Sequence, residues 1–250
     1  MIFNYPFTCA KGTDPGNRPE NEDQLVLLPD HGFFAVCDGM GGLSKGKEAA
    51  AAVARKIEKL AILVSQSYES SGDQLSPELT GQVVCEVIQR HSADMNQNGR
   101  QHGLHYGTTL CVLWLIQARA VFVNIGDSRG YLFRSGTLSQ ITKDHSIAAI
   151  LVEQNEITKD EARTHPASSQ LLRYMGMDGD AKADIFAEPI QRGDVFLLCS
   201  DGLSSMVGDE ELARLLRNMQ DVEAGVSDLI DAANRNGGKD NISTILVQIA

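Results

Sequence analysis

GTTLCVLWLIQARAVFVNIGDSRGYLFRSGTLSQIT, residues 107–142, is the most strand-like stretch of the chain. Its apolar runs, TTLCVLWLI, RAVFVNIGD, GYLFR and TLSQIT, are separated by turn formers such as Ser135-Gly136 and predict a meander of antiparallel strands. Upstream, QLVLL, the turn Pro29-Asp30-His31-Gly32 and FFAVCDG read as a hairpin. Downstream, VFLLCSDG and the terminal ISTILVQI are two further buried strands.

Helices surround these strands. From Lys45 the chain is Ala-rich, with Val53, Ile57, Leu60 and Val64 on one stripe and Arg55, Lys56, Glu58 and Lys59 between them. Ser76-Pro77-Glu78 supplies an N-cap, a first-turn proline and a first-turn acid for a second helix carrying Val84, Val87, Ile88, His91 and Met95, after a Ser/Gly connection at Ser70 to Gly72. Two more stripes, Leu212, Leu215, Leu216, Met219 and then Val222, Val226, Leu229, Ile230, Ala233, precede the last strand. Residues 144–180 are polar, with helical fragments at Ile147 to Glu153 and Thr158 to Thr164, and read as a surface flap. No repeat or linker interrupts the pattern, so one domain over 1–250 is expected, with stacked sheets inside and helices outside.

The 250 residues are 42% hydrophobic and 22% charged, which is globular composition. Lys and Arg number 22 against 33 Asp and Glu, a formal net charge of −11 that argues against nucleic acid as partner. Five widely spaced cysteines without a C-x-x-C pair read as reduced thiols, neither disulfide framework nor zinc site. Apolar runs such as Cys111–Ile116 are far short of the roughly 20 residues of a membrane span. The start MIFNYPFTCAKG lacks the layout of a signal peptide. The expectation is a soluble, cytoplasmic, monomeric protein with no membrane partner.

Three aspartates share one local setting: FFAVC-Asp38-Gly39, FVNIG-Asp127-Ser128 and FLLCS-Asp201-Gly202, each at the end of a buried strand. Asp240, in GGKDN, sits before the last strand, and Asn21-Glu22-Asp23 before the hairpin. Asp-Gly after a strand is also an ordinary turn, but several such acids at converging strand ends repel one another unless a cation lies between them. An all-oxygen donor set beside glycines 39, 41 and 42 suits Mg²⁺ or Mn²⁺ better than zinc or copper. Arg18, three residues before Asn21, is either a surface arginine or a bidentate holder of phosphate. His102-x-x-His105 reads as solvent-exposed in a polar loop, and His91, His145 and His165 as structural. No P-loop is present.

Eight segments in order carry a resemblance: TDPGNRPENED (13–23), AVCDGMGG (35–42), GTTL (107–110), NIGDSR (124–129), DHS (144–146), EARTHP (161–166), LLCSDGL (197–203) and DNIS (240–243). Over nearly its whole length the chain resembles the metal-dependent serine/threonine protein phosphatases of type 2C, bacterial branch. The resemblance implies an α+β, four-layer αββα sandwich of two antiparallel sheets flanked by helices, with a flap, and two Mn²⁺ or Mg²⁺ ions at one edge. By that resemblance Asp38 bridges the metals, Gly39 offers its carbonyl to the second, Asp201 and Asp240 hold the first, and Glu22 reaches the second through water. Asp127 would share a third, weaker metal with Asp201, and Arg18 would clamp phosphate. Hydroxide held between the metals would attack phosphorus in line, without a phosphoenzyme.

The chain differs from the family pattern at Met40, where eukaryotic relatives often carry histidine, and at Asn155 and Ser169, where glycine and asparagine are common. The implied substrates are proteins phosphorylated on serine or threonine by a kinase. A silent phosphoprotein-binding module of the same fold is the alternative. A two-metal nuclease is opposed by the acidic charge.

Overall fold

A computed structural model of the chain describes residues 3–41, 45–71 and 76–250, and the main chain alone at Glu69 and Ser71. Gly42 and Gly72 lie outside the described residues. The strands are β1 (Phe7–Asp14), β2 (Gln24–Leu28), β3 (Phe33–Cys37), β4 (Gly39–Gly41), β5 (Tyr106–Thr108), β6 (Leu110–Ile116), β7 (Arg119–Ile125), β8 (Arg129–Arg134), β9 (Thr137–Gln140), β10 (Asp184–Pro189), β11 (Val195–Cys199) and β12 (Ile242–Ile249). The helices are α1 (Lys45–Ser71), α2 (Pro77–His102), α3 (Ile147–Glu153), α4 (Lys159–Thr164), α5 (Asp201–Ser204), α6 (Asp209–Asn218) and α7 (Val222–Arg235).

Two five-stranded antiparallel sheets face each other, one ordered β1-β12-β11-β8-β9 and the other β10-β7-β6-β3-β2. Strand alternation sorts the buried residues into three apolar layers. Phe34, Val36, Leu113, Phe122, Phe196, Leu198, Ile245 and Val247 fill the space between the sheets. Their neighbours along the strands, Phe33, Ala35, Trp114 and Val121, point the other way onto α1 and α2. Leu197, Cys199 and Leu246 point away onto α5, α6 and α7. A strand buried on both faces has no polar side, which is why VFLLC and LCVLWLI read as continuous apolar runs. The four layers implied by the resemblance are these.

The hairpin of β2 and β3 forms in the register Gln24↔Cys37. Ser76 caps α2, its hydroxyl accepting the Leu79 N–H at 3.4 Å. Thr158 and Glu161 close a capping box on α4. On α1 the fully buried ridge is Ala50, Val53, Ile57, Ala61 and Ser65, while Leu60 and Val64 flank it; small residues let the helix lie close to the sheet.

The meander expected over 107–142 is instead two hairpins in opposite sheets. β6 and β7 belong to one sheet and β8 and β9 to the other, and the chain crosses between them at Gly126-Asp127-Ser128. Two edge strands escaped the sequence reading: β1, which pairs with β12 from Phe7↔Ile249 to Asp14↔Ile242, and β10, whose half-exposed DIFAEP ends on proline. His102 closes α2 rather than lying in a loop, its Nδ1 2.9 Å from the Asn98 carbonyl. In the flap, Asn155 has φ 58°, the left-handed conformation in which glycine is the common occupant.

Candidate metal and phosphate site

The strand-end aspartates meet at one end of the sandwich. β3 and β7 of one sheet and β11 of the other deliver Asp38, Asp127 and Asp201, and the turn into β12 delivers Asp240. All four line one cavity of about 520 Å³ with Arg18, Glu22, Gly39, Met40, Ser169 and Leu171. Every residue singled out from the sequence as catalytic or metal-holding therefore borders the same space. Asp201 differs from the expected turn, because it opens the one-turn helix α5.

Each position is fixed by main-chain contacts. The Asp38 N–H donates to Thr109 Oγ1 at 3.0 Å, the Asp38 carbonyl accepts from Thr108 Oγ1 and from the Thr109 N–H, both at 2.9 Å, and Thr109 Oγ1 lies 2.7 Å from Ser128 Oγ. These bonds tie the Asp38 and Asp127 loops together. Gly39 is where β4 passes the start of α1: a Cβ there would lie 2.2 Å from the Gly46 carbonyl oxygen and 2.8 Å from that of Glu22. Only glycine permits that approach.

Asn241, named in the sequence only as part of a motif, is the joint between the two ends of the chain. Its Oδ1 accepts the Glu22 N–H at 2.8 Å, and its Nδ2 donates to the Pro15 and Glu20 carbonyls at 3.0 and 2.9 Å. Asp23, the last acid of the Asn21-Glu22-Asp23 run, lies deeper than its sequence setting indicates. It is 5% exposed, its Oδ2 accepts from Ser200 Oγ at 2.8 Å, and its Oδ1 is buried with no close hydrogen-bond partner among the described residues.

Crowding shows in the acidities. Burial holds the Asp38 carboxyl well above its ordinary range, and Asp23, Asp201, Asp127 and Asp240 add to the rise. Asp127 is raised by burial and then by Asp201 and Asp144, against Arg129. Asp201 is pushed up to about 6 by burial and then Asp240, although a hydrogen bond shared with Asp38 opposes the rise. Among the described residues no three His, Cys, Asp or Glu side chains are drawn onto one point as a finished ligand set. Arg18 sits at the rim, where Nη2 donates to Asp240 Oδ2 at 2.7 Å and Nε to the Lys239 carbonyl at 3.2 Å.

A larger groove of about 1050 Å³ adjoins this cavity, sharing Asp127 and Asp201 with it and running between the flap helices α3 and α4 and the α5–α6 side. His165 and His145 serve the structure here. His165 Nδ1 accepts the Ala167 N–H at 3.1 Å in the turn after α4. His145 is buried away from the cavity, and burial lowers its pKa against a hydrogen bond to Asp184.

A sequence profile of the family described as Protein phosphatase 2C matches residues 20–246. The serine/threonine phosphatase Stp of Listeria monocytogenes is 34% identical over 240 residues, covering 94% of this chain and 89% of that protein. Among solved structures, serine/threonine phosphatase Stp1 of Staphylococcus aureus superposes with a TM-score of 0.88 at 28% identity, covering 100% and 98% of the two chains. The catalytic domain of the serine/threonine protein phosphatase PstP, solved in complex with 2 manganese ions, superposes at 0.80 with 30% identity and 98% coverage of each chain.

Proposed function

The chain belongs to the protein phosphatase 2C family and is a protein serine/threonine phosphatase, and on that premise we propose that the 520 Å³ cavity is its hydrolytic centre, loaded with divalent manganese or magnesium. The observation that carries this reading is the gathering of Asp38, Asp127, Asp201 and Asp240 around one space, where burial and neighbouring carboxylates raise the pKa of Asp38, Asp127 and Asp201. Carboxylates, a main-chain carbonyl and water form a hard, all-oxygen set. The manganese ions of the PstP domain favour the same assignment.

In this reading Asp38, Asp201 and Asp240 would hold a first ion, Asp38 and the Gly39 carbonyl would hold a second, Glu22 would support the second through water, and Asp127 with Asp201 would hold a weaker third. When bound, the ions supply a water of lowered pKa and neutralise charge on the phosphoryl oxygens. Arg18, at the rim, turns its guanidinium to the phosphoryl oxygens and orients the monoester. Met40 lines the cavity without a proton to give, so the chain offers no imidazole to the leaving serine or threonine oxygen there. The adjoining 1050 Å³ groove exceeds what a phosphate needs and suits the polypeptide flanking a phosphoserine or phosphothreonine, the product of a serine/threonine kinase. Residues 1–250 form one catalytic unit with its flap at about 144–180. Five free thiols fit the reducing cytoplasm, and among the described residues no helix is long and apolar enough to cross a membrane.

Phosphate release from a mixed phosphopeptide library in Mn²⁺, with and without chelator and beside Asp201→Asn, tests the assignment. Chelator should abolish release and Asp201→Asn should lower kcat by about 10³ or more, since both remove the source of the nucleophile. Turnover indifferent to chelator, or an Asp201→Asn variant as fast as wild type, would overturn it.

A further inference from the structure

Asp144 and His145 hold nothing at the cavity directly, yet both are turned onto the loop that carries Asp127. His145 is 3% exposed. Its main-chain N–H donates to the Gly126 carbonyl at 2.9 Å, and its ring Nδ1 accepts the Gly126 N–H at 3.1 Å. A main-chain amide can only donate, so Nδ1 keeps its lone pair and Nε2 carries the ring hydrogen. Nε2 gives that hydrogen to Asp184 Oδ2 at 3.1 Å, and Arg173 holds Asp184 through Nη1 to Oδ1 at 3.0 Å and Nη2 to Oδ2 at 3.3 Å.

On the other side of Asp127, Asp144 grips Arg129. Arg129 Nη2 donates to Asp144 Oδ2 at 2.7 Å and Nε to both carboxylate oxygens at 3.0 Å, in a pair whose side chains are 20% and 11% exposed. Gly126 has φ 111°, a conformation open to glycine and rarely to other residues. The chain crosses between the sheets at Gly126-Asp127-Ser128, so the strand ladders end on either side of Asp127, at Ile125 paired with Leu110 and at Arg129 paired with Cys199.

We propose that Asp144 and His145 are a positioning pair that grips Gly126 and Arg129 from both sides and so sets the Asp127 carboxylate at the cavity, with Asp184 and Arg173 choosing the His145 tautomer. The same dipeptide roots the flap. The Leu172 N–H donates to the His145 carbonyl at 2.8 Å, Ser146 bridges Leu171, and Ser169 and Leu171 line the cavity. The flap root and the Asp127 loop are thereby one body. The inference rests on the reading of Asp127 as a working residue of the site.

Its test compares full-length His145→Ala, His145→Asn and His145→Gln with Asp127→Ala and the His145→Ala/Asp127→Ala double variant. The readouts are phosphopeptide turnover and exchange of the Gly126 amide hydrogen. The Asn oxygen falls where Nδ1 stood and the Gln side chain overreaches it, so fold damage and lost positioning separate. In the Ala and Gln variants Gly126 should exchange about tenfold faster and kcat should fall about tenfold, as expected for one lost buried hydrogen bond, while Asn stays within about threefold of wild type. The double variant should be no slower than Asp127→Ala. In the wild-type protein, ¹⁵N shifts of His145 should show hydrogen on Nε2 and a bare Nδ1. Unchanged Gly126 exchange in Ala and Gln, an Asn variant as impaired as Gln, multiplicative losses in the double variant, or hydrogen on Nδ1 would each overturn the proposal. If Asp127→Ala alone kept full turnover, the reading of Asp127 would fall, and Gly126 exchange and the tautomer would still decide the positioning.

Discussion

Asp23→Asn should stabilise the chelator-treated protein at alkaline pH and lose that advantage at acid pH. Burial lifts the Asp23 carboxyl from 3.8 to about 7, with Asp201 and Asp240 adding to the rise and hydrogen bonds from Ser243 and Ser200 opposing it. The folded state therefore holds this proton more tightly than the unfolded chain does. Its stabilising contribution is complete below the ordinary carboxylate pKa and is lost as pH climbs to about 7. At 1.36 kcal/mol per pH unit, ionising the buried group costs about 4 kcal/mol in full. Roughly 3 kcal/mol of that falls between pH 5 and pH 8. Asparagine has nearly the same shape and cannot ionise, so the variant escapes this slope. Urea unfolding in excess chelator at the two pH values measures it. With a slope of about 2–3 kcal/mol per molar urea, the gap between variant and wild-type midpoints should change by roughly 1 M. An equal difference at pH 5 and pH 8 would refute the argument, because it would mean that Asp23 titrates alike in the folded and unfolded chains.

Arg18→Ala should lower kcat/KM by about 2–4 kcal/mol, as for loss of one preorganised donor to the phosphoryl group. Its exposed ion pair with Asp240, with side chains 55% and 39% exposed, should contribute under about 1 kcal/mol to stability. Equal kcat/KM and equal inhibition by free phosphate in variant and wild type would place the clamp elsewhere. Gly39→Ala should cost about 1–3 kcal/mol in thermal unfolding, because its Cβ meets main chain, the Gly46 and Glu22 carbonyl oxygens, rather than a side chain that can swing away; an unchanged Tm would show that α1 shifts freely. With Met40 where a proton donor could stand, rates on phosphate monoesters of graded leaving-group pKa should fall steeply as that pKa rises. A flat series with chemistry rate-limiting would reveal a general acid that the site does not display.

Much of the architecture was legible because it is local. Ser76-Pro77 and Thr158-x-x-Glu161 announce helix starts through hydrogen bonds that span only three residues. The continuous apolar runs of β6 and β11 announce burial on two faces. The strand-end aspartates could be picked out for the same reason, since each follows its own buried run.

Edge strands β1 and β10 were harder to see, because their residue types do not follow their exposure: Ile185 faces water while Asp184 and Glu188 are half-buried, β1 carries short or polar residues after Phe7, and β10 ends on proline. The crossing of the chain between sheets after β7 was not visible at all, since a hairpin and a crossover begin with the same strand-turn-strand pattern. Asp23, Asn241 and His145 needed the tertiary structure for a stronger reason. Asp23 meets Ser200 177 residues away, Asn241 meets Glu22 219 residues away, and His145 meets Asp184 39 residues away. By itself the sequence determined the doubly buried strands, the longer helices and which acids stand at strand ends, because propensity, capping and periodicity act within a few turns of chain. Only the tertiary structure decided which strand ends share a cavity and which polar side chains brace them, because burial and long-range hydrogen bonds exist only once the two sheets have closed on each other.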